Sequence, residues 1–495
     1  MAQQSAGLRL FREGGLYTFA IFLLRGGNFL LIPLYITLLE PRDYGAFGVV
    51  KQLVTVLVLL AVAAQGHSLL RLGVDADEDE EQKARLVSSV FSWVFISSCV
   101  LAGGAALCWP WLSRWLDDLE LWPIGAAGLL AVAGMSIFQL TLSWLQFNRR
   151  ARRHTVLSIT RWVVMMVLIL VFLLVFDMGA AGILLAMAVS FTVGALLGLR
   201  SLPRGSSPRK IHGKTLFASL SYGLPVLPHT LSAVIFASTD QVLLAANDKY
   251  GLKTAGIYFL AFQLASAVYM IAMGMQKAWM PFFLREDRDH ATGGWNRVRV
   301  LSFFSVTMVG CAAVAAGLLA PELVALAGYF GDGSFQAAAT IVPILCFGAF
   351  IRSYYLVASG VVLANKTVAR WIAVATLPSA ALNILLNALW IPEHGMYGAA
   401  WATATSWIVC MLAMGGLARH ARKVPFKYGR ATALLALVGA ALWLGTSQAL
   451  GLRIVILIGF GLLILLLDGR DILSALRSLR RNRGSAPETD AGEPG

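Results

Sequence analysis

Charge is scarce in this 495-residue chain: Asp, Glu, Lys and Arg together supply 13 % of it, about half the share found in an ordinary soluble domain. Hydrophobic residues supply 58 % and the mean hydropathy is +0.72. That balance excludes a water-soluble domain and gives an all-α polytopic membrane protein. Cysteine is scarce as well. Cys99, Cys108, Cys311, Cys346 and Cys410 stand singly in or beside apolar runs, without the paired spacing of a zinc site or a disulfide framework, and read as small apolar side chains. No phosphate-binding G-x-x-x-x-G-K-[ST] loop is present, so the chain is not expected to hydrolyse ATP itself. Long polar loops are also missing. The longest outer loop, "APELVALAGYFGDGSFQ", has 17 residues, which leaves little room for a catalytic constellation and argues against an enzyme. Asp332 and Glu322 in that loop, and the Trp-rich "WPWLSRWLDDLELW" from Trp109, read as interface anchors.

What is there is a series of apolar runs. With about 20 residues needed to cross a bilayer, fourteen spans are expected, near 13–39, 44–70, 87–109, 123–147, 156–176, 179–199, 215–246, 254–280, 298–319, 337–362, 371–391, 397–418, 431–450 and 453–468. The first run is far longer than a signal-peptide core and lacks a cleavage site, so it is expected to be retained. The net charge of +14 does not form a nucleic-acid surface, because the basic residues sit in short clusters between apolar runs. Those clusters alternate. Thirty of the 40 Lys and Arg fall on one side, five on the other and five within or at the edges of spans, which puts both termini in the cytoplasm. The acidic run "DADEDEE" from Asp75 then reads as a solvated cytoplasmic loop, and the tail, 471–495, as a disordered cytoplasmic segment.

An internal repeat orders these spans. "GAAGILLAMAVS" from Gly179 and "GMYGAAWATATS" from Gly395 share the pattern G-x-x-G-x-x-x-A-x-A-x-S at an offset of 216 residues. Asn148 and Asn365 each open a basic loop, and "YGAFGVV" at Tyr44 and "AGIYFLA" at Ala255 each open the second span of a block. The expected organisation is two six-helix lobes, 1–210 and 211–425, related by a pseudo-twofold axis along the membrane normal, with two additional helices over 426–470.

Polar residues inside spans are the candidate site. Arg25 lies near the middle of span 1, on a stripe with Thr18, Asn28 and Tyr35. A cation there costs about 2.5–3.5 kcal/mol, so it should face protein or water. Arg352 lies mid-span beside Tyr355 and Ser359, while Lys51, Arg161 and Lys277 stand nearer span edges, where a cavity role competes with snorkelling. Span 7 carries Tyr222, His229, Ser232 and Thr239, with Asp240 beside them, on a helix interrupted by Pro225 and Pro228; span 8 carries Tyr258, Phe262, Ser266, Tyr269, Met273 and Lys277. Asp240 and His229 are candidates for coupling to a proton or Na⁺, with Asn383 and Thr403 as further ion ligands; helix pairing is the competing role for each.

"LEPRDYGAFGVV" after span 1, "STDQVLLAANDKYGLKTAGIYFLA" across spans 7 and 8, and "AWMPF" near the end of span 8 resemble the polysaccharide or O-antigen type flippases of lipid-linked oligosaccharides. These belong to the multidrug/oligosaccharidyl-lipid/polysaccharide (MOP) superfamily, and the resemblance covers roughly residues 8–425. It implies a two-lobed, MATE-like fold and movement of an undecaprenyl-diphosphate-linked glycan to the outer leaflet of a bacterial inner membrane by alternating access, among membrane lipids and beside a polymerase or ligase. Many relatives follow the acid at Asp240 with a basic residue; here Gln241 stands there. Guanidinium groups match diphosphate oxygens, so Arg25 and Arg352 are expected to hold the diphosphate, unless Arg25 instead locks helices by pairing with Asp240. A cation-coupled multidrug exporter of the same superfamily is an alternative, although mid-span charges here are mainly basic. A glycan ligase or polymerase is a more distant one.

Overall fold

The computed structural model describes residues 23–466 except Arg25, 76–78, 204, 207–209, 289–294, 330, 332, 423, 425 and 427. Arg25, the start of span 1, Asp332 and the tail therefore lie outside the described residues. Eleven helices among the described residues are long and apolar enough to cross a membrane. Two shorter apolar helices, Gly26–Leu38 and Leu450–Leu466, and a break at Gly395 within the 55-residue stretch Thr367–Ala421 bring the set to fourteen. These helices are apolar around most of their circumference, as helices in contact with hydrocarbon must be.

The chain forms two compact units. One comprises Met1–Leu260, Val324–Ala338 and Ala380–Ala399; the other comprises Ala261–Leu323, Ala339–Ser379 and Ala400–Gly495. These spatial units cut across the segments 1–210, 211–425 and 426–470 drawn from the sequence.

In the first unit, α1 (Ile32–Leu38) leads through Glu40 into α2 (Pro41–Val62), whose proline occupies the first helical position. Pro suits that position because the amide it lacks would have no intrahelical partner. Ala63 and Ala64 then take left-handed conformations (φ 44° and 57°) before α3 (Gln65–Asp75). Asp79 caps α4 (Glu80–Trp115) by accepting from the amides of Glu81 and Gln82 at 2.9 and 3.2 Å. Next come α5 (Ala126–Phe147), α6 (Ala151–Leu174) and α7 (Gly179–Leu199), followed by α8 (Gly213–Gly223) and α9 (Leu227–Ala245). A three-residue tight turn at Leu224–Val226, carrying Pro225, separates the last two. The two breaks are neighbours: Ser219 donates to Gln65, and Ser68 donates to the Ser219 carbonyl at 2.8 Å. Trp109 is 2 % exposed and donates to the Leu119 carbonyl at 2.9 Å, so it is a packing residue, whereas Trp111, Trp115 and Trp122 are exposed as interface anchors should be.

The boundary between the units falls within α10 (Gly251–Arg288). The second unit continues through α11 (Trp295–Leu318), α12 (Ala320–Ala327), α13 (Ala338–Ala364), α14 (Lys366–Ala369), α15 (Ile372–Ala421), α16 (Tyr428–Gly445) and α17 (Leu450–Leu466), with parts of α12 and α15 belonging to the first. Glu322 is held in an ion pair: Arg453 grips both its carboxylate oxygens at 2.9 and 2.7 Å and donates to the Leu318 carbonyl at 2.9 Å. The repeat seen in the sequence has a backbone counterpart. Gly179 and Gly395, which open the matching motifs, both take positive φ, 52° and 55°, a conformation that only glycine adopts without steric cost.

Candidate functional site

The proline-bearing turn resets the helical phase of span 7, and α9 buries Ser232, Phe236, Asp240 and Leu244 at four-residue intervals. Asp240 is 2 % exposed. A buried carboxylate requires donors, and two helices bring them. The Tyr258 hydroxyl of α10 donates to Oδ2, and Asn387 Nδ2 of α15 donates to Oδ1 at 2.8 Å. The same Asn387 nitrogen donates to the Asn383 carbonyl at 2.9 Å, so Asp240 and Asn383 belong to one buried group. Next to it, Ser238 donates to Gln52 at 3.1 Å and Gln52 donates to Gln241 at 3.4 Å. Gln241, which follows Asp240, thus forms an amide pair between α9 and α2. Asn387 Oδ1 and Gln241 Nε2 are buried without a hydrogen-bond partner among the described residues.

Three of the candidate cations, Lys51, Arg161 and Arg352, lie against aromatic faces. Lys51, half-buried on α2, lies 5.6 Å from the Phe47 ring centroid and 5.4 Å from that of Phe259. Arg161 stacks at 4.4 Å on Phe191 and 5.7 Å on Phe138, and donates to the Met165 sulfur at 3.5 Å. In the second unit the Arg352 guanidinium lies 3.7 Å from the Tyr269 ring and 4.5 Å from that of Trp407, which itself packs on Tyr355. Such contacts are worth about 0.5–2 kcal/mol each. They retain a cation in an apolar setting.

The other candidates are dispersed. Asn28 is exposed and accepts from Trp162 Nε1 at 3.2 Å. Lys277 is exposed on α10. His229 is half-buried on α9, where its carbonyl accepts from Ser232 at 2.7 Å, and Thr403 is 6 % exposed on α15. Sequence reading missed Asn387, Gln52 and Trp407. Asn387 had a signal, since it lies one helical turn beyond Asn383 and so shares its face.

The fold is that of known membrane transporters. A structure described as lipid II flippase MurJ in an inward closed conformation matches with a TM-score of 0.72 and 14 % identity, over 92 % of this chain and 99 % of that one. A multidrug resistance MATE family transporter of the MOP superfamily, in an inward-facing conformation, matches at 0.62 and 15 % identity over 83 % and 95 % of the two chains. A mutant of the Vibrio cholerae MATE transporter VcmN matches at 0.55 and 16 % over 87 % and 99 %. Comparison with curated proteins gave no significant sequence match. Residues 10–285, more than half of the chain, match the family described as polysaccharide biosynthesis protein, and with the MOP-type fold around that segment the chain belongs to this family.

Proposed function

We propose that this chain is a transporter. It moves a polyprenyl-diphosphate-linked oligosaccharide from the inner to the outer leaflet of the bacterial inner membrane, by alternating access, for surface polysaccharide synthesis. The observation that carries the reading is Lys51, a cation within a span, cradled by Phe47 and Phe259 and paired with no carboxylate among the described residues. A cation so placed needs an anion, and a lipid diphosphate brings one. Arg352, which lies against Tyr269 and Trp407 in the second unit, is proposed on its own account as a phosphate-binding residue, because a guanidinium matches phosphate oxygens. Arg25 is proposed in the same role from its place in the sequence. Family membership supports a substrate from polysaccharide synthesis over a cationic drug, for which acidic cavity groups would be the better match.

For energy coupling we propose Asp240. Its carboxylate oxygens, together with the buried amide oxygen of Asn387, offer the hard oxygen donors that Na⁺ takes, and the carboxylate alone suffices for a proton. Return of the empty carrier would follow release of that ion.

The deciding experiment is a conditional deletion. Loss of the protein is expected to trap the undecaprenyl-diphosphate-linked glycan on the cytoplasmic leaflet, out of reach of a membrane-impermeant lectin or oxidant applied from outside. An unchanged leaflet distribution would reject the transport reading.

A further inference from the structure

Away from these residues, the second unit carries a cleft of about 430 Å³ between α11, α13, α15 and α16, within the size range of small-molecule sites. Phe303, Val306, Val357 and Met411 supply apolar wall. Gly415 and Gly416, also in the lining, face open space, since a Cβ at either position would meet nothing within 4 Å. Leu412, also in the lining, is 65 % exposed, so the cleft opens on the surface of the unit.

Its charge is at one end. Arg299 lies near the start of α11, Arg419 in the last turn of α15, and Tyr428 is the first residue of α16; all three line the cleft. The Arg419 guanidinium lies 4.1 Å from the Tyr428 ring centroid and pairs with no carboxylate among the described residues. A purely hydrocarbon-facing dent would not need the Arg419 guanidinium laid on the Tyr428 ring at its charged end.

We infer that this cleft binds one anionic membrane phospholipid, with its phosphate on Arg299 and Arg419 and an acyl chain along the wall formed by Phe303, Val306 and Met411. Guanidinium groups grip phosphate oxygens with paired, charge-assisted hydrogen bonds, and basic pockets between transmembrane helices are a recurrent way of holding anionic headgroups. A zwitterionic lipid would bring its ammonium beside two guanidinium groups. Both arginines fall on the side where basic residues are concentrated, which assigns the lipid to the cytoplasmic leaflet. The inference does not depend on which glycan, or whether any glycan, is transported.

Native mass spectrometry of the purified full-length protein tests it, with titration of phosphatidylglycerol, phosphatidylethanolamine and undecaprenyl phosphate as probes. Phosphatidylglycerol is expected to bind about tenfold more tightly than phosphatidylethanolamine. Arg299→Gln combined with Arg419→Gln should erase that preference, and Gly416→Leu should weaken phosphatidylglycerol binding with both arginines intact. The Leu variant has open space to occupy, so it serves alone if the double variant does not fold. Equal binding of the two phospholipids by the parent, unchanged phosphatidylglycerol binding in Gly416→Leu, or its displacement by equimolar undecaprenyl phosphate overturns the inference; the last outcome would assign the cleft to a polyprenyl lipid. None of these readouts involves transport, so the two readings stand or fall separately.

Discussion

Gly45 and Gly256 cross with no room for a side chain on either. A Cβ on Gly45 would stand 2.0 Å from the Leu252 carbonyl oxygen, and one on Gly256 would stand 1.8 Å from that of Pro41. The relationship is reciprocal: each glycine meets the carbonyl four residues before the other, as a local two-fold between α2 and α10 requires. Small residues at such a crossing let backbones approach closely, which is how helices associate where the hydrophobic effect between them is weak.

Replacing either glycine should therefore destabilise the protein far more than its small change in volume suggests. Gly45→Val or Gly256→Val forces carbonyl and side chain apart at a backbone contact, at a cost above the about 1–3 kcal/mol typical of overpacking. Gly103→Val, where a Cβ meets nothing within 4 Å, is the matched control. Thermal unfolding in detergent measures both, and equal midpoints for Gly45→Val and Gly103→Val would contradict the crossing.

Asp240 is expected to serve turnover more than folding. Asp240→Asn keeps an acceptor for Tyr258 or Asn387 but removes the charge, so the protein should be produced at normal levels while transport loses its dependence on a proton or sodium gradient. Asn387→Leu leaves the carboxylate with one donor fewer and should weaken coupling without abolishing it. Transport that still responds to ionophores in Asp240→Asn would return this group to helix packing.

The contrast between what the sequence reveals and what it hides is physical. Span positions follow from hydropathy alone, and the Gly179 and Gly395 motifs reappear as a shared positive φ, because both are local properties of the chain. The aromatic partners of Arg352 lie on α10 and α15, and the partner of Glu322 lies on α17. Pairings across such separations leave no trace in local periodicity.

Arg453 and Glu322 tie α17 to α12 through two charge-assisted bonds, with the arginine 8 % and the glutamate 36 % exposed at the side chain. Breaking such a pair strands a buried guanidinium, so Glu322→Gln should cost about 2–3 kcal/mol after allowing for the partly solvated carboxylate. The double variant Glu322→Gln with Arg453→Met should recover much of that loss. Strictly additive losses in a double-mutant cycle would show that the two residues act independently.

Arg352 distinguishes a substrate contact from a structural brace. Tyr269 and Trp407 hold its guanidinium by their faces, so Trp407→Phe should preserve the geometry, whereas Trp407→Leu should loosen the side chain while leaving its charge in place. Arg352→Lys keeps a cation but loses the planar fork that binds phosphate through two bonds. If the residue contacts a diphosphate, Arg352→Ala should fold yet bind polyprenyl-diphosphate oligosaccharide about tenfold or more weakly, corresponding to one charge-assisted bond of about 1.5–3 kcal/mol. Arg352→Lys should fall between Ala and the parent, and the same order is expected at Arg25. A structural brace makes the opposite forecast, in which Arg352→Ala loses thermal stability and its folded fraction binds the lipid as tightly as the parent. Measuring midpoint and affinity on the same preparations separates the two, and parental affinity in folded Arg352→Ala would remove this residue from the substrate path.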